Sequence, residues 1–258
     1  SAWGRDIAAG IDKDLRTEFV GYESYSSESR ILHIILDDEQ VNSAQQGEEV
    51  TVILDRTPFY AESGGQVADT GYITGKDGKV RVTGCVKVGE GLYLHTGVVE
   101  EGIIEKDAPV TAAIDVERRL AIARNHTATH LLHKALRNVL GDHVTQAGSL
   151  VAPDRLRFDF RHFAAMTKEE IKRVEDEVNA RILDDLKVTV RVMSLDEANR
   201  LGAMALFEEK YGDVVRVIQA GDYSMELCGG THLKSTAQAG LFKIISESGV
   251  AAGVRRIE

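Results

Sequence analysis

Two short segments of this chain each carry a pair of metal-binding side chains four positions apart. His126 and His130 are separated by Thr-Ala-Thr, and Cys228 and His232 are separated by Gly-Gly-Thr. Three imidazoles and one thiolate make up a donor set that suits a tetrahedral zinc ion. We therefore predict that these four residues are the ligands of one zinc ion.

Each pair has a local geometry that can aim both donors at one ion. On a helix, positions i and i+4 lie on the same face about one turn apart, which would bring His126 and His130 together. Gly229 and Gly230 permit a tight bend after the thiolate of Cys228. About a hundred residues separate the two pairs, so only the tertiary structure can unite them.

The other histidines of the chain lack this pairing. His133 lies on the same helical stripe as the first pair and is a competing ligand or a supporting neighbour, although no second donor accompanies it at matching spacing. The remaining histidines are predicted to be polar surface residues: His33, His95, His143 and His162.

The sequence excludes two kinds of zinc hydrolase. A zincin protease needs glutamate directly after its first histidine, and this chain has Thr127 at that position. A cytidine deaminase needs Cys-x-x-Cys and a nearby glutamate, and this chain has no Cys-x-x-Cys. Four protein ligands are typical of a closed structural site. Catalysis here therefore requires either that one ligand position opens or that the ion orients other groups.

The first histidine pair lies in a segment with helical periodicity. A helix is predicted over 116–140, and Gly141 follows as a C-terminal cap. Thr167 and Glu170 form a capping box that opens a second helix, which is predicted to end at about Leu186.

The rest of this half alternates between short β-rich runs and one further helix. Ser194 with Glu197 begins that short helix. Strands are predicted from β-branched and aromatic residues at 149–151, 156–160, 187–193, 214–219, 224–227 and 241–246. This half is therefore predicted to be α+β, with helices packed on a mostly antiparallel sheet.

The first half of the chain has a different pattern, in which short β runs are broken by Gly, Asn and Asp. Strands are predicted at 30–36, 49–54, 80–88 and 92–99. A hairpin is predicted at 76–79 because Asp77-Gly78 tolerates the positive φ angles of such turns. Several short strands with regular turns predict a small barrel. The predicted domains are an N-terminal linker helix over 1–18, a β-barrel over 19–115 and a zinc-binding α+β core over 116–258.

Composition is that of a globular chain without a membrane span. The 258 residues are 43% hydrophobic, and no apolar run is long enough to cross a bilayer. Two cysteines cannot build a disulfide framework, which favours a reducing, cytoplasmic compartment. The chain starts at Ser1 and stops within a strand-like stretch at 254–258, so we expect it to be part of a longer protein.

Charge is unevenly distributed along the chain, whose formal net charge is −10. Residues 1–115 contain 10 Lys/Arg and 21 Asp/Glu, whereas residues 116–258 contain 21 and 20. A contact with nucleic acid is therefore predicted on the second part. Its basic candidates are Arg118, Arg119, Arg124, Lys134, Arg137, Arg155, Arg157 and Arg161.

The two metal-binding motifs together resemble a known family. The first pair with Thr-Ala-Thr and the second with Gly-Gly-Thr are similar to the editing domain of alanyl-tRNA synthetase and its free-standing relatives, to which the threonyl-tRNA synthetase editing domain is related. Residues 59–66, Phe-Tyr-Ala-Glu-Ser-Gly-Gly-Gln, and residues 148–150 extend this resemblance over nearly the whole chain. Gly64-Gly65-Gln66 also resembles the tripeptide with which release factors place a water, although a tight barrel loop is the simpler interpretation.

The resemblance implies a fold and a reaction. The fold is a small translation-factor-like β-barrel followed by an α+β zinc-binding editing domain with an antiparallel sheet. The reaction is hydrolysis of the ester that joins serine or glycine to tRNA(Ala), with the other domains of an ATP-dependent class II alanine–tRNA ligase in cis. The implied metal ligands are His126, His130, Cys228 and His232. Catalytic roles are implied for Thr129, Gln146 and Cys228, and substrate-binding roles for Ser149, Gly229 and Gly230.

Two alternatives remain open at the level of sequence. The chain could be a free-standing hydrolase that edits tRNA in trans, or a zinc-stabilised tRNA-binding module without catalysis. Zinc itself has two open roles, polarising a water or anchoring the substrate amine and the tRNA end. The sequence decides neither question.

Overall fold

The computed structural model describes residues 10–205 and 211–258. The chain forms two compact units. The first unit consists of Ser1–Ser63 and Val67–Arg119. The second consists of Gly64–Gln66 and Leu120–Glu258. Among the helices of the described ranges, none has the length and hydropathy of a transmembrane span.

The first unit is built from strands, as its sequence pattern predicts, but those at 26–36, 78–88 and 92–105 are longer than predicted. The strands are β1 (Glu18–Phe19), β2 (Ser26–Leu36), β3 (Glu39–Val41), β4 (Ser43–Gln45), β5 (Glu49–Leu54), β6 (Arg56–Thr57), β7 (Gly71–Thr74), β8 (Gly78–Val88), β9 (Leu92–Glu105) and β10 (Pro109–Ile114). Six of them pair antiparallel in the order β10-β7-β8-β9-β5-β2, and β10 pairs again with β2. This second pairing closes the barrel and leaves its ring without a free edge.

The barrel interior is apolar, and its fully buried side chains include Ile34, Val52, Phe59 and Ile73. The predicted hairpin joins β7 to β8, where Thr74 pairs with Lys79. The turn does not use the predicted positive φ angles, since neither Asp77 nor Gly78 has one. The turn has no room for a side chain at Gly78, because a Cβ there would lie 2.4 Å from the carbonyl oxygen of Ile103.

A buried arginine in the first unit anchors the start of the helix that follows the barrel. Arg119 and Asp69 are 4% and 1% exposed at their side chains and form an ion pair. The guanidinium also donates to the carbonyl oxygens of Gly21 at 2.6 Å and Pro58 at 2.9 Å. Asp115 accepts a hydrogen bond from the N–H of the third helical residue and so caps the helix start.

Helices and strands alternate after the barrel. They are α1 (Val116–Leu140), β11 (Gln146–Val151), β12 (Leu156–Arg161), α2 (Lys168–Leu183), β13 (Val188–Ser194), α3 (Leu195–Arg200), β14 (Met204–Ala205), β15 (Val214–Ala220), β16 (Ser224–Leu227), a 3₁₀ helix (Thr236–Ala239), β17 (Glu247–Ala251) and β18 (Val254–Ile257). They form two four-stranded sheets, β11-β12-β18-β17 and β13-β15-β16-β14. The sheets are antiparallel as predicted, except that β14 pairs parallel with β16, but one sheet was expected and two are present.

The middle of α1 is buried on all sides. Residues 126–133 are all buried, which an amphipathic surface helix does not show. Leu131, Leu132 and Leu136 pack into a core with Phe158 and Phe160 of β12. The histidines of α1 are therefore held on a helix that is packed from more than one direction.

The structure contains the helix caps that the sequence predicts for α1 and α2. α1 has the predicted bounds, and Gly141 follows it with φ 127°. The capping box of α2 is present in both directions, with hydrogen bonds of 3.1 and 2.9 Å between Thr167 and Glu170. α2 ends at Leu183, earlier than predicted, because Asp185 adopts the left-handed conformation at φ 49°.

Two element predictions are wrong where they can be compared. Residues 241–246 form no strand, because the N–H groups of Phe242 and Ile244 donate to side chains of α2, those of Asn179 and Glu175. Residues 1–9 of the predicted N-terminal helix lie outside the described residues. The described remainder is not helical, since Gly10 has φ 116° and turns follow it.

Two histidines predicted at the surface are buried. His95 is fully buried in the barrel, with its ring nitrogens 2.7 Å from Oγ1 of Thr57 and 2.8 Å from the carbonyl oxygen of Val52. Burial lowers the pKa of His95 to about 4. His162 is also buried, at the end of β12. Strand alternation turns His95 inward, which composition alone did not reveal.

Candidate metal centre

The four predicted metal-binding side chains meet in one place. α1 carries His126 and His130, and Cys228 directly follows β16. One ligand atom from each of these residues and from His232 lies within 4.8 Å of all the others. Sγ of Cys228 is 3.3 Å from Nε2 of His126 and 3.3 Å from Nε2 of His232. The tertiary structure thus brings together two motifs that are about a hundred residues apart.

Two of the imidazoles are oriented by side chains outside the cluster. Nδ1 of His126 lies 2.7 Å from Oε1 of Gln66, and Nδ1 of His232 lies 3.1 Å from Oγ1 of Thr127. With Nδ1 engaged, each ring presents Nε2 to the cluster. Metal-binding histidines are commonly held by such hydrogen bonds, which fix both the tautomer and the ring orientation.

The third imidazole is held by a buried carboxylate. Nδ1 of His130 lies 2.8 Å from Oε2 of Glu226, and Nδ1 of His133 lies 3.0 Å from Oε1 of the same side chain. Nε2 of His130 is buried and has no hydrogen-bond partner among the described residues. A metal ion would satisfy this atom. His133 therefore supports Glu226 and is not one of the four converging donors.

The loop after Cys228 is shaped to fit against the first histidine. A Cβ on Gly230 would lie 2.0 Å from Cε1 of His126, so only glycine fits there. Arg216 of β15 donates to the carbonyl oxygens of Cys228 at 3.1 Å and Gly230 at 2.6 Å. These contacts fix the bend that carries the thiolate to the imidazoles.

Gln66 is a site residue whose place beside the metal cluster the sequence analysis did not predict. Its side chain is fully buried, accepts the N–H of Thr231 at 3.0 Å and donates to the Thr231 hydroxyl at 2.8 Å. Gly64 and Gly65 have φ 59° and 84°, which confirms the tight loop. The loop belongs to the second unit, however, and not to the barrel. The sequence signals were the glycine pair before Gln66 and the resemblance of residues 59–66, and neither indicated the contact with His126.

Electrostatics favour the protonation states that a metal site needs at Cys228 and His232, but not at His130. Burial would raise the pKa of the Cys228 thiol, but the histidines around it lower that pKa well below its usual range, which favours the thiolate. Burial and His126 lower the pKa of His232 to about 3, so this ring is neutral. Burial would lower the pKa of His130, but Glu226 and Cys228 raise it to about 10. A metal ion must therefore displace a proton from His130.

Replacing Gly230 by alanine is expected to lower metal affinity by about 10- to 100-fold, the loss typical of disturbed outer-shell support. The reason is the 2.0 Å clash with His126, which must move the ring or the loop. Gly148→Ala is the matched control, since a Cβ there lies no closer than 3.6 Å to its nearest neighbour, Asp159. Competition with a chromogenic zinc chelator measures both variants. Equal affinities would show that the close approach has no role in binding.

The predicted substrate residues lie on α1 and β11. Thr129 is buried, and its hydroxyl donates to the carbonyl oxygen of Asn125 at 2.7 Å. Nε2 of Gln146 is 3.5 Å from Oγ of Ser149. Gly229 is exposed. Their roles remain predictions.

The strand register shows which way the residues of β11 point. Gln146 pairs with Phe160 and Ser149 with Phe158, and both phenylalanines are in the core shared with α1. Because opposed residues share a face of the sheet, Gln146 and Ser149 lie on the α1 side. Ser149 also packs on Gly65, since a Cβ on Gly65 would lie 2.4 Å from Oγ of Ser149. The Gly65-Gln66 segment therefore links β11 to the metal cluster.

Two family models match the sequence. One, described as tRNA synthetases class II (A), matches residues 4–118. The other, described as Threonyl and Alanyl tRNA synthetase second additional domain, matches residues 215–258. The second match contains Cys228 and His232.

Curated relatives are alanine–tRNA ligases. That of Acetivibrio thermocellus is 64% identical over all 258 residues, and that of Thermoanaerobacter pseudethanolicus is 55% identical over the same span. That of Bacillus subtilis is 51% identical over 254 residues, or 98% of this chain. In each case the match covers 29% of the relative's length. The resemblance predicted from the motifs is thus confirmed: the chain belongs to the alanyl-tRNA synthetase family, of whose curated members it spans less than a third.

Proposed function

We propose that this chain is the editing part of an alanyl-tRNA synthetase and hydrolyses Ser-tRNA(Ala) and Gly-tRNA(Ala). The observation that carries the proposal is the convergence of His126, His130, Cys228 and His232 on one point. Family membership supplies the context, because an enzyme that selects alanine needs a way to remove serine and glycine. A hydroxyl is only weakly excluded by an apolar pocket, so a second, hydrolytic site is the general solution.

The metal is proposed to be one zinc ion. Three imidazoles and a thiolate in a compact cluster suit zinc more than magnesium or calcium, which take oxygen ligands. The unsatisfied Nε2 of His130 and the favoured thiolate of Cys228 fit such an ion. When bound, zinc would supply a positive charge able to polarise a water or a carbonyl oxygen.

Recognition of serine is proposed for Thr129 and Gln146. The Thr129 hydroxyl already donates its proton to Asn125, so its oxygen is left to accept a hydrogen bond. A serine hydroxyl can donate that bond, whereas alanine cannot. The Gln146 amide offers both donors and an acceptor beside Ser149. Ser149, Gly229 and Gly230 are proposed to line the same pocket.

Hydrolysis of an activated ester needs little beyond positioning. The reaction requires a held water and stabilisation of the charge that develops on the carbonyl oxygen. Cys228 contributes as a metal ligand beside the bend at Gly229 and Gly230. Gln66, Thr127 and Glu226 contribute by fixing the three imidazoles.

The partner is proposed to be tRNA(Ala) carrying serine or glycine, delivered by other synthetase domains in cis. The relatives are ligases and the chain spans 29% of their length, which favours action in cis over a free-standing hydrolase. Cys85 and Cys228 are both unpaired, in keeping with the proposed cytoplasmic location.

The proposal is tested by incubating the chain with Ser-, Gly- and Ala-tRNA(Ala), with and without a zinc chelator. Serine and glycine esters should be cleaved faster than in buffer, the alanine ester should persist, and the chelator should remove the difference. Gln146→Ala should slow cleavage of the serine ester while zinc content stays unchanged. Gln45→Ala, an exposed glutamine of the barrel unit, is the matched control.

Other outcomes would point elsewhere. If no ester is cleaved faster than in buffer but tRNA still binds, the chain is a zinc-stabilised tRNA-binding module. Equal cleavage of the alanine ester would contradict an editing role. Zinc loss in Gln146→Ala would mean that this residue supports the metal and does not recognise serine.

A further inference from the structure

The side of β12 that faces away from α1 is basic. Phe158 and Phe160 point into the core, so strand alternation turns Arg157, Asp159 and Arg161 to the other face. On the neighbouring strand β18, Arg256 is the register partner of Asp159 and shares this face.

Positive charge exceeds negative charge on this face. Arg256 takes both oxygens of Asp159, at 2.8 and 2.9 Å. Arg157 reaches the same carboxylate only at 4.0 Å, and its Nε is buried without a hydrogen-bond partner in the described ranges. Arg161 is exposed, and no ion pair is found for it among the described residues. Asp159 is thus shared by Arg157 and Arg256, the latter also near Glu258, whereas Arg161 has no carboxylate partner among the described residues.

An exposed aromatic ring lies where this strand ends. Phe163 is 83% exposed, although its ring lies against a stacked pair of imidazoles, with centroids 4.6 Å from His162 and 5.5 Å from His143. The two imidazoles are themselves joined by a hydrogen bond of 2.7 Å. This supported phenylalanine presents a face to solvent two residues after Arg161.

Three of the other basic residues predicted to contact nucleic acid are used inside the fold. Arg118 and Arg119 bind carbonyl oxygens of the first unit, and Arg137 binds those of Asp142 and Val144. The structure therefore separates internal arginines from those that face outward on β12.

We propose that Arg157, Arg161 and Phe163, here called the β12 strip, bind RNA. The arginines would neutralise phosphates, and Phe163 would stack on one unpaired base. Cationic groups followed by an exposed aromatic ring are the combination by which proteins hold single-stranded nucleic acid without reading its sequence. The inference rests on the proposed function only in naming tRNA(Ala) as the RNA.

The stacking part is tested by binding of deacylated tRNA(Ala) at fixed salt. Phe163→Ala should weaken binding about tenfold, within the range for loss of one stacked base, and Phe163→Trp should keep wild-type affinity. Leu241→Ala is the matched control, since Leu241 is 87% exposed elsewhere on the same unit. Equal affinity of the Phe163→Ala and wild-type proteins would overturn the proposal. The exposed ring of Phe163 would then be assigned to a contact with another protein.

The electrostatic part is tested by the salt dependence of the same binding. Arg161→Gln should lower the slope of log affinity against log salt by about 1, the change expected for one lost phosphate contact. Lys172→Gln also removes one exposed positive charge, that of a lysine paired with Asp176 on α2, and should leave the slope unchanged. Equal slopes for Arg161→Gln and wild type would overturn the arginine role.

These measurements can refute RNA binding by the β12 strip without bearing on the proposed hydrolysis. Deacylated tRNA has no ester, so its affinity does not depend on whether the chain is an editing enzyme. Unchanged zinc content in Phe163→Ala and Arg161→Gln would show that the metal cluster is intact in both variants.

Discussion

Cys228→Ala is expected to lose zinc and ester hydrolysis together. The substitution removes the only thiolate of the cluster and leaves three imidazoles, of which that of His130 keeps its contact with Glu226. The drop in metal affinity should exceed the roughly 10- to 100-fold cost of losing an outer-shell partner. Hydrolysis of Ser-tRNA(Ala) should fall to the rate in buffer. Metal analysis of the purified variant and an ester assay check the two effects.

Cys85→Ala is the matched control for this experiment. Cys85 is buried in the barrel core, and burial raises the pKa of its thiol, so it is a neutral apolar side chain and not a ligand. Its loss should leave zinc content and hydrolysis unchanged, at a small cost in stability. Wild-type hydrolysis by a metal-free Cys228→Ala protein would refute the catalytic role of the metal.

Asp69→Ala is expected to lower the free energy of unfolding of the first unit by about 3–5 kcal/mol, the usual cost of leaving a buried charge unpaired. The Arg119 guanidinium is 4% exposed and would lose its only carboxylate among the described residues. Its bonds to Gly21 and Pro58 would remain, but neutral carbonyls do not balance the charge. Urea unfolding followed by far-UV circular dichroism measures the change.

An exposed ion pair of the same unit provides the comparison. Arg56 lies 3.0 Å from Glu18, and both side chains are about half exposed or more. Glu18→Ala should cost less than about 1 kcal/mol, because solvent screens such pairs. Similar costs for Asp69→Ala and Glu18→Ala would mean that water reaches Arg119 after the substitution. The anchor at the start of α1 would then depend on its backbone contacts alone.

Features that depend on neighbours along the chain could be predicted from the sequence. The bounds of α1 follow from its periodicity and from Gly141, and the capping box of α2 follows from Thr167 and Glu170. The i, i+4 spacing of His126 and His130 predicted that both face one point. The reason is that caps, turns and helical faces are set by contacts within about four residues.

The same local reasoning failed where a distant side chain competes for the backbone. Residues 241–246 have strand-like alternation, but Asn179 and Glu175 of α2 take the N–H groups that a neighbouring strand would bind. His95 has no local sign of burial, yet closure of the barrel encloses it. Both outcomes depend on which segment packs alongside, and this is not encoded in the spacing of nearby residues.

What the sequence determined by itself is the donor set: three imidazoles and a thiolate in two segments that can each bend toward one ion. What only the tertiary structure decided is their convergence and the identity of the side chains that orient them. Gln66, Thr127 and Glu226 are ordinary polar residues in the sequence, and each acquires its role from a partner 60 to 105 positions away or from a neighbouring element. Hydrogen bonds of this kind form only after the chain has folded, because no local geometry brings their atoms within reach.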